Sequence, residues 1–275
     1  MDNIVSFMSE VKMLEDEDIS LQEIINIMKI KVIKISDDLK NLRLSLDNIN
    51  NSIADLISQR IDIVKRVGKI KKQKKNFYVP EREKFIFKTL CEKFPELDKN
   101  IIKSLFTEII SGCRSYEKIF EVGLLNDVWS LSALINILGT FTSNHFMNDV
   151  SSLKEKYNSL DYVLISLDDN FVSLVENLQD IFVINYYEKD ERKFFLLGKT
   201  ENTDILSGKI GFLLEKNNFA KIKDRLYNQL YKVYNISENY IYTEIDYSKQ
   251  DDIEKIKNIF SVSHKYMGIY PDNNF

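Results

Sequence analysis

Apolar residues recur every three or four positions along residues 36–75, and this spacing is typical of a long amphipathic helix. The stripe consists of Leu42, Leu46, Ile49, Ile53, Leu56, Ile57, Ile63, Val64 and Val67. Residues 1–35 combine an acidic leader with a further amphipathic stretch, whose role stays open. The hydrophobic pattern therefore predicts a helical N-terminal part.

Two more helices are predicted before residue 122. Pro80 stands directly before charged residues, and proline at the first helical position marks a helix start. This second helix should end near Lys93. Asp98 suits the N-cap of a third helix that continues to about Phe120. Residues 36–122 thus read as an all-α domain of three helices.

The pattern changes after about residue 125. Short runs rich in β-branched and aromatic residues predict strands at 159–167, 180–187, 193–199, 209–215 and 240–247. Helical spacing returns at 220–234 and 252–266, so residues 203–275 read as an α+β module with the order βαββα. We expect a multidomain chain divided at 1–35, 36–122, 123–202 and 203–275.

Charge is distributed unevenly over the 275 residues. Residues 36–120 carry 18 Lys and Arg against 12 Asp and Glu, and the remainder carries 20 against 30. A basic helical segment suits an anionic ligand. Nucleic acid is the rival ligand for the lysines at 69–75, but no nucleic-acid motif accompanies them, so a solvated helix end is favoured.

Several classes of function are disfavoured by composition. Cys91 and Cys113 lack paired spacing and the two histidines are remote from them, so neither a disulfide framework nor a zinc site is expected. The apolar run at 24–35 is interrupted by lysines and is too short to span a bilayer. The acidic N-terminus does not resemble a secretory signal. We expect a cytoplasmic protein without metal, cofactor or membrane contact.

The spacing of three basic residues suggests a site shared between two chains. Arg60 and Lys71 are 11 residues apart, which places them on one helix face about 16 Å apart. Arg43 lies 17 residues before Arg60, about 25 Å away and about 100° off that face. On a straight helix Arg43 can reach the same ligand only from a second, antiparallel chain. A homodimer whose two sites share residues is therefore expected.

Five sequence motifs together resemble the all-helical chorismate mutases. They are Leu42-Arg43, Gln59-Arg60, Val67 to Lys71, Pro80 to Glu83, and Ile109-Ile110 followed by Arg114. Their order and spacing match that family over about residues 38–120. The resemblance implies an intertwined helical dimer that catalyses the Claisen rearrangement of chorismate to prephenate. This reaction is intramolecular, so an enzyme assists by holding the reactive conformer and stabilising charge on the ether oxygen.

The resemblance also implies a role for each matching residue. Arg60 and Arg43 of the partner subunit would bind the two carboxylates, because guanidinium forms bidentate pairs. Lys71 would donate to the ether oxygen. Glu83 would accept from the ring hydroxyl, and Arg82 would brace the carboxylates. Together with Cys113 and Glu117, these are the expected substrate-binding residues.

Two site positions depart from the usual family pattern. Cys113 stands where the family often has serine, and Glu117 where it often has glutamine. Glu117 should face the ether oxygen, where an ionised carboxylate repels developing negative charge and a protonated one can donate. We therefore expect an acid-shifted pH optimum. Arg43, Arg60, Lys71 and Glu117 are the expected catalytic residues.

The remainder of the chain resembles a degenerate prephenate dehydratase followed by an ACT-like module. Residues 137–146, 161–170 and 191–199 resemble dehydratase motifs, but Arg192 and Lys193 stand where a catalytic threonine and an arginine are expected. The segment is also short for a two-lobed enzyme. Residues 267–271 resemble the end of an ACT module, whereas 217–220 and 242–245 lack its effector motifs. Loss of dehydratase chemistry and of phenylalanine feedback is the expectation.

Three functions remain open on sequence grounds. The first is a chorismate mutase with a non-catalytic dehydratase and ACT remnant. The second is a bifunctional enzyme that also makes phenylpyruvate. The third is a regulatory or assembly protein that binds chorismate-like anions without turnover. Retention of the whole cation set argues against the third, and a related isochorismate lyase would use the same helices.

Overall fold

The computed structural model describes residues 21–71, 77–176, 178–203, 205–226, 229–260 and 264–272. The chain divides into two compact units, residues 1–59 and residues 60–275. The acidic leader expected at the N-terminus falls largely outside the described residues.

The first helix is longer than the hydrophobic pattern predicts. Helix α1 (Leu21–Lys71) includes residues 21–35, so the expected extension and the first of the three helices form one element. Its apolar stripe is open to solvent, with Leu42, Leu46 and Leu56 each about 60% exposed (63%, 58% and 62%). These leucines are thus exposed among the described residues.

The second and third helices begin where the sequence predicts. Helix α2 (Pro80–Lys93) has proline in its first turn. Helix α3 (Lys99–Arg114) is capped by Asp98, which accepts from the backbone N–H of Asn100 at 2.8 Å. The prediction that α3 reaches Phe120 was wrong. The chain turns after Arg114, and Phe120 is buried under the first sheet.

A five-stranded mixed sheet follows the helices. Its strands have the order β2-β1-β3-β5-β4, with β1 parallel to β2 and β3, and β5 antiparallel to β3 and β4. Parallel neighbours need crossover connections, which the intervening helices supply. The elements are β1 (Glu121–Leu125), α4 (Val128–Leu138), β2 (Ser143–Met147), α5 (Val150–Lys156), β3 (Tyr162–Ser166), α6 (Asp169–Val175), β4 (Phe182–Lys189) and β5 (Arg192–Gly198).

The last part of the chain forms a four-stranded antiparallel sheet. The strand order is β7-β8-β6-β9, and the element order is βαββαβ. The elements are β6 (Gly208–Glu215), α7 (Lys216–Ile222), β7 (Tyr231–Asn235), β8 (Tyr240–Tyr247), α8 (Gln250–Ile259) and β9 (His264–Tyr270). Two short 3₁₀ turns, Tyr157–Ser159 and Lys223–Leu226, complete the secondary structure of the described residues.

Four strands were not predicted, and two predicted helices are too long. The helix expected over 220–234 ends at Ile222, and residues 231–235 form β7. The helix expected over 252–266 ends at Ile259, and residues 264–270 form β9. Tyr231 and Tyr270 pair with neighbouring strands in these positions. Hydrogen bonding to strands that are distant in sequence determines the structure of these segments, although their local pattern of apolar residues is helical.

The described residues form three hydrophobic clusters, and one of them includes residues of both sheets. Helix α4 covers one face of the first sheet, with Phe120 and Tyr78 beside it. The other face packs against α5 and α6, and also against the second sheet. There the rings of Phe195 and Tyr242 lie 4.8 Å apart between centroids.

Candidate active site

Arg60 links α1 to α3. It is half-buried, and its Nη1 donates to the backbone carbonyl of Ile109, 3.5 Å away. At this length the hydrogen bond is weak. The contact nevertheless places the guanidinium against the helix that carries Cys113.

Gly68 brings α1 close to Glu117. A Cβ atom added at Gly68 would lie 3.0 Å from Cγ and 3.2 Å from Cβ of Glu117. Glycine at this position therefore lets α1 and Glu117 lie closer together than a larger residue would allow. Beside this contact, Nζ of Lys65 lies 5.1 Å from the ring centroid of Tyr116. The turn after α3 is thus held against α1 with Glu117 facing that helix.

Glu83 lies in a buried ion pair. Its Oε1 accepts from Nη1 of Arg114 at 2.8 Å, and the two side chains are 14% and 8% exposed. Arg114 also donates to the carbonyl of Leu138 at 2.7 Å and lies 4.8 Å from the ring centroid of Phe120. Burial, with Glu83 as a further cause, raises the pKa of Tyr78 well above its usual value.

The remaining expected site residues are Arg82, Cys113, Lys71 and Arg43. Arg82 is exposed, with its guanidinium 5.2 Å from the ring centroid of Phe85. Cys113 is 1% exposed. Lys71 is the last residue of α1, and its side chain lies outside the described residues. Arg43 is exposed on α1 within the first unit.

Arg114 belongs to one of the sequence motifs, but no role was predicted for it. The structure makes it the cation that binds Glu83 and joins α2, α3 and α4. Arg114 is buried on the same helix as Ile102 and Ile110. Arginine is seldom buried without a partner, so an arginine within this apolar pattern is the signal that could have identified the ion pair.

The residues that resemble dehydratase motifs have local structural contacts. Arg192 lies over the indole of Trp129, 4.4 Å from its ring centroid. Asp168 caps α6 by accepting from the N–H of Asn170 at 2.8 Å. Lys193 is buried. Its Nζ donates to the hydroxyl of Tyr234 at 2.9 Å and forms an ion pair with Oε1 of Glu244 at 2.5 Å. Burial lowers the pKa of Lys193, and Glu244 partly offsets this effect.

A cavity of about 450 Å³ lies elsewhere in the second unit. It is bounded by α2, α3, α4 and β4, and by strands β6, β7 and β8 of the second sheet. Of the expected mutase residues, Glu83 is the one that lines it. The cavity is therefore distinct from the contacts between α1 and α3. No group of His, Cys, Asp and Glu among the described residues could hold a metal ion.

The described chain thus begins with helices and continues into a mixed sheet and an antiparallel sheet. Residues 42–118 match the family described as chorismate mutase type II. The bifunctional chorismate mutase/prephenate dehydratase of Aquifex aeolicus is 29% identical over 162 residues, covering 54% of this chain and 43% of the relative. The predicted resemblance is confirmed as a similarity: residues 42–118 are similar to chorismate mutase type II, and the chain is similar to a bifunctional chorismate mutase/prephenate dehydratase.

Two more relatives carry the same description. The protein of Pseudomonas aeruginosa is 34% identical over 128 residues, covering 42% of this chain and 32% of the relative. That of Stutzerimonas stutzeri is 36% identical over 98 residues, covering 33% and 27%. The aligned part thus spans less than half the length of these relatives. No solved structure matches the chain significantly. Within the described residues, none of the helices is both long and apolar enough to cross a membrane.

Proposed function

We propose that the chain is a chorismate mutase that converts chorismate to prephenate in aromatic amino acid biosynthesis. The observation that carries this proposal is the family match over residues 42–118. The contact of Gly68 with Glu117 supports it, because it sets a carboxyl group of the expected site against α1. We retain the divisions 1–35, 36–122, 123–202 and 203–275 as proposed domains.

In this mechanism, charged side chains surround a substrate with two carboxylates and stabilise its transition state. Arg60 and Arg43 of the partner subunit bind those carboxylates, and Arg82 braces them. Lys71 and a protonated Glu117 donate to the ether oxygen as its C–O bond breaks and a C–C bond forms elsewhere in the same molecule. Glu83 accepts from the ring hydroxyl while Arg114 holds its carboxylate in place.

A homodimer completes the site. The exposed stripe of α1 includes Leu42, Leu46 and Leu56, and burial of their remaining exposed surface would contribute about 1–2 kcal/mol per side chain. A second copy of α1 offers a matching apolar face and brings Arg43 into the site. Two-fold pairing of identical surfaces gives two equivalent sites per dimer.

The dehydratase part is inactive in this proposal. Arg192 and Lys193, which stand where the catalytic threonine and an arginine are expected, are occupied with Trp129 and Glu244. The second candidate is a bifunctional enzyme, which the descriptions of the three relatives favour. Incubation of the purified chain with prephenate at neutral pH separates the two, because phenylpyruvate formation above the uncatalysed rate requires the second.

The mutase proposal is tested with chorismate and an Arg60→Ala variant. Removing one electrostatic contact to the transition state typically lowers kcat by about 100-fold or more. Arg66→Ala is the matched control, since Arg66 is an exposed arginine on the same helix. Equal activity of the two variants would contradict the assignment of Arg60. Inactivity of the unmodified chain would favour the non-catalytic anion-binding alternative.

A further inference from the structure

We propose that Asn185, on β4 of the first sheet, is a positioning residue for the chorismate mutase reaction, because it anchors the segment that carries Glu83. The inference rests on the proposed function and deepens it. The first sheet has no chemistry of its own in the proposed function. Through Asn185 it takes part in the mutase reaction by holding a substrate-binding residue in place.

Asn185 and Tyr78 form a buried polar contact between β4 and the start of α2. Nδ2 of Asn185 donates to the hydroxyl of Tyr78 at 2.7 Å, and the two residues are 8% and 2% exposed. Oδ1 of Asn185 accepts from the backbone N–H of Tyr186 at 2.8 Å, which fixes the orientation of the amide. A buried polar group that loses its partner destabilises the fold, so the contact restrains both side chains.

A bulge in β4 directs Asn185 to the face of the sheet on which Tyr78 lies. Val183 and Asn185 pair with consecutive residues of β5, so Ile184 is an extra residue in the strand. Val183 packs on one face of the sheet, whereas Ile184 and Tyr78 pack on the face that α4 covers. In a regular strand Asn185 would share the face of Val183. The bulge therefore places an amide where the chain enters α2.

Tyr78 is coupled to Glu83 along the backbone and through Arg114. The carbonyl of Val79 accepts from the backbone N–H groups of Arg82 at 3.0 Å and Glu83 at 3.4 Å, so α2 begins directly after Tyr78. The guanidinium of Arg114 lies 5.4 Å from the ring centroid of Tyr78 and binds Glu83 at 2.8 Å. A displaced Tyr78 would therefore move both the first turn of α2 and the cation that holds the Glu83 carboxylate.

Two substitutions remove the anchor and leave the side chains of the proposed mutase site unchanged. Tyr78→Phe keeps the ring beside Arg114 and removes the hydroxyl, and Asn185→Leu replaces the amide with an apolar side chain of similar size. Glu83 accepts from the ring hydroxyl in the proposed mechanism, and hydrogen bonds weaken steeply with misalignment. We expect each variant to lower kcat for chorismate about tenfold.

Tyr157→Phe is the matched control for loss of a buried hydroxyl. Tyr157 is 5% exposed and donates to the carbonyl of Asp180 at 2.7 Å, beside the first sheet and outside α2. Its unfolding midpoint should fall by an amount similar to that of Tyr78→Phe, because each loses one buried hydrogen bond. We expect its kcat to stay within about twofold of the unmodified chain.

A double-mutant cycle with Glu83→Ala separates positioning from general stability. Circular dichroism establishes that each variant is folded. If Asn185 acts through Glu83, Asn185→Leu should change kcat by less than about twofold once Glu83 is alanine.

Three results would overturn the positioning role and leave the mutase assignment intact. They are an unchanged kcat in Asn185→Leu, the same loss of kcat from Asn185→Leu with and without Glu83, and equal losses in Tyr78→Phe and Tyr157→Phe. An unmodified chain that does not consume chorismate would instead overturn the proposed function, and the positioning role with it.

Discussion

Gly68 and Glu117 lie at a close approach of α1 to the turn after α3. In Gly68→Ala the new Cβ would lie 3.0 Å from Cγ of Glu117, so the Glu117 side chain must shift. We expect kcat for chorismate to fall about tenfold. The free energy of unfolding should change by less than about 1 kcal/mol, because alanine is the better helix former.

Gly112→Ala is the matched control for this change. Its Cβ would meet the ring of Phe141 at 3.3 Å, a similar crowding at a helix position outside the proposed contacts with substrate. We expect kcat close to that of the unmodified chain. Equal loss of kcat in both variants would mean that crowding on these helices, and not the position of Glu117, controls the rate.

Glu117→Gln tests the role of a protonated carboxyl group. The amide donates a hydrogen bond at every pH, whereas glutamic acid donates only when protonated. We expect kcat of the unmodified chain to fall as the pH is raised, while kcat of the variant stays constant. A profile of the unmodified chain that is flat up to pH 9 and equal to that of the variant would contradict the role.

The residues of the helical segment were predictable to different degrees. Arg60, Arg82 and Glu83 could be proposed from sequence because the family motifs fix their spacing along each helix. The pairing of Glu83 with Arg114 could not, since it depends on how α2 packs beside α3 and α4. The cavity was missed for the same reason, because Lys103 and Lys209 come from distant segments.

At the scale of elements, the Arg114–Glu83 pair joins three helices. Arg114→Met would leave Glu83 buried without its cation and would remove the bond to the carbonyl of Leu138. We expect the free energy of unfolding to fall by about 3–5 kcal/mol. Urea denaturation followed by circular dichroism measures this change.

The matched control is Lys118→Met. Lys118 pairs with Asp161, but the two side chains are 38% and 24% exposed, so water screens the charges. We expect a loss of about 1 kcal/mol or less. A cost for Arg114→Met no larger than for Lys118→Met would show that the buried pair does not hold the helices together.

Strands differed in how well the sequence predicted them. Strands β3, β4, β5, β6 and β8 were predicted because their β-branched and aromatic residues form continuous runs. Strand β2, Ser143–Met147, is polar at most positions and pairs with β1 alone at the sheet edge. Strand β1 is five residues long and follows α3 closely. Local composition carries little signal for such elements, since the pairing partner determines them.

At the scale of the whole molecule, the proposed dimer is tested by mixing two inactive variants. Arg43→Ala and Arg60→Ala should each lack activity, because every site of either homodimer lacks one essential arginine. In a mixed dimer, one of the two sites would contain both native arginines. Random exchange of subunits should therefore restore roughly one quarter of the unmodified activity.

The control for subunit exchange is a mixture of Arg60→Ala with Arg60→Ala/Leu46→Glu. No intact site can form in that mixture, so activity should stay at the level of the single variant. Failure of Arg43→Ala and Arg60→Ala to complement each other, under conditions where exchange is demonstrated by mass, would contradict a site shared between chains.

The measurement that decides the function is the loss of chorismate absorbance with the purified chain, followed by acidification of the product. Acid converts prephenate to phenylpyruvate, so the timing of phenylpyruvate separates one activity from two. We predict chorismate loss with phenylpyruvate appearing only after acid. Phenylpyruvate before acid would contradict the inactive dehydratase, and no chorismate loss between pH 5 and pH 8 would contradict the mutase itself.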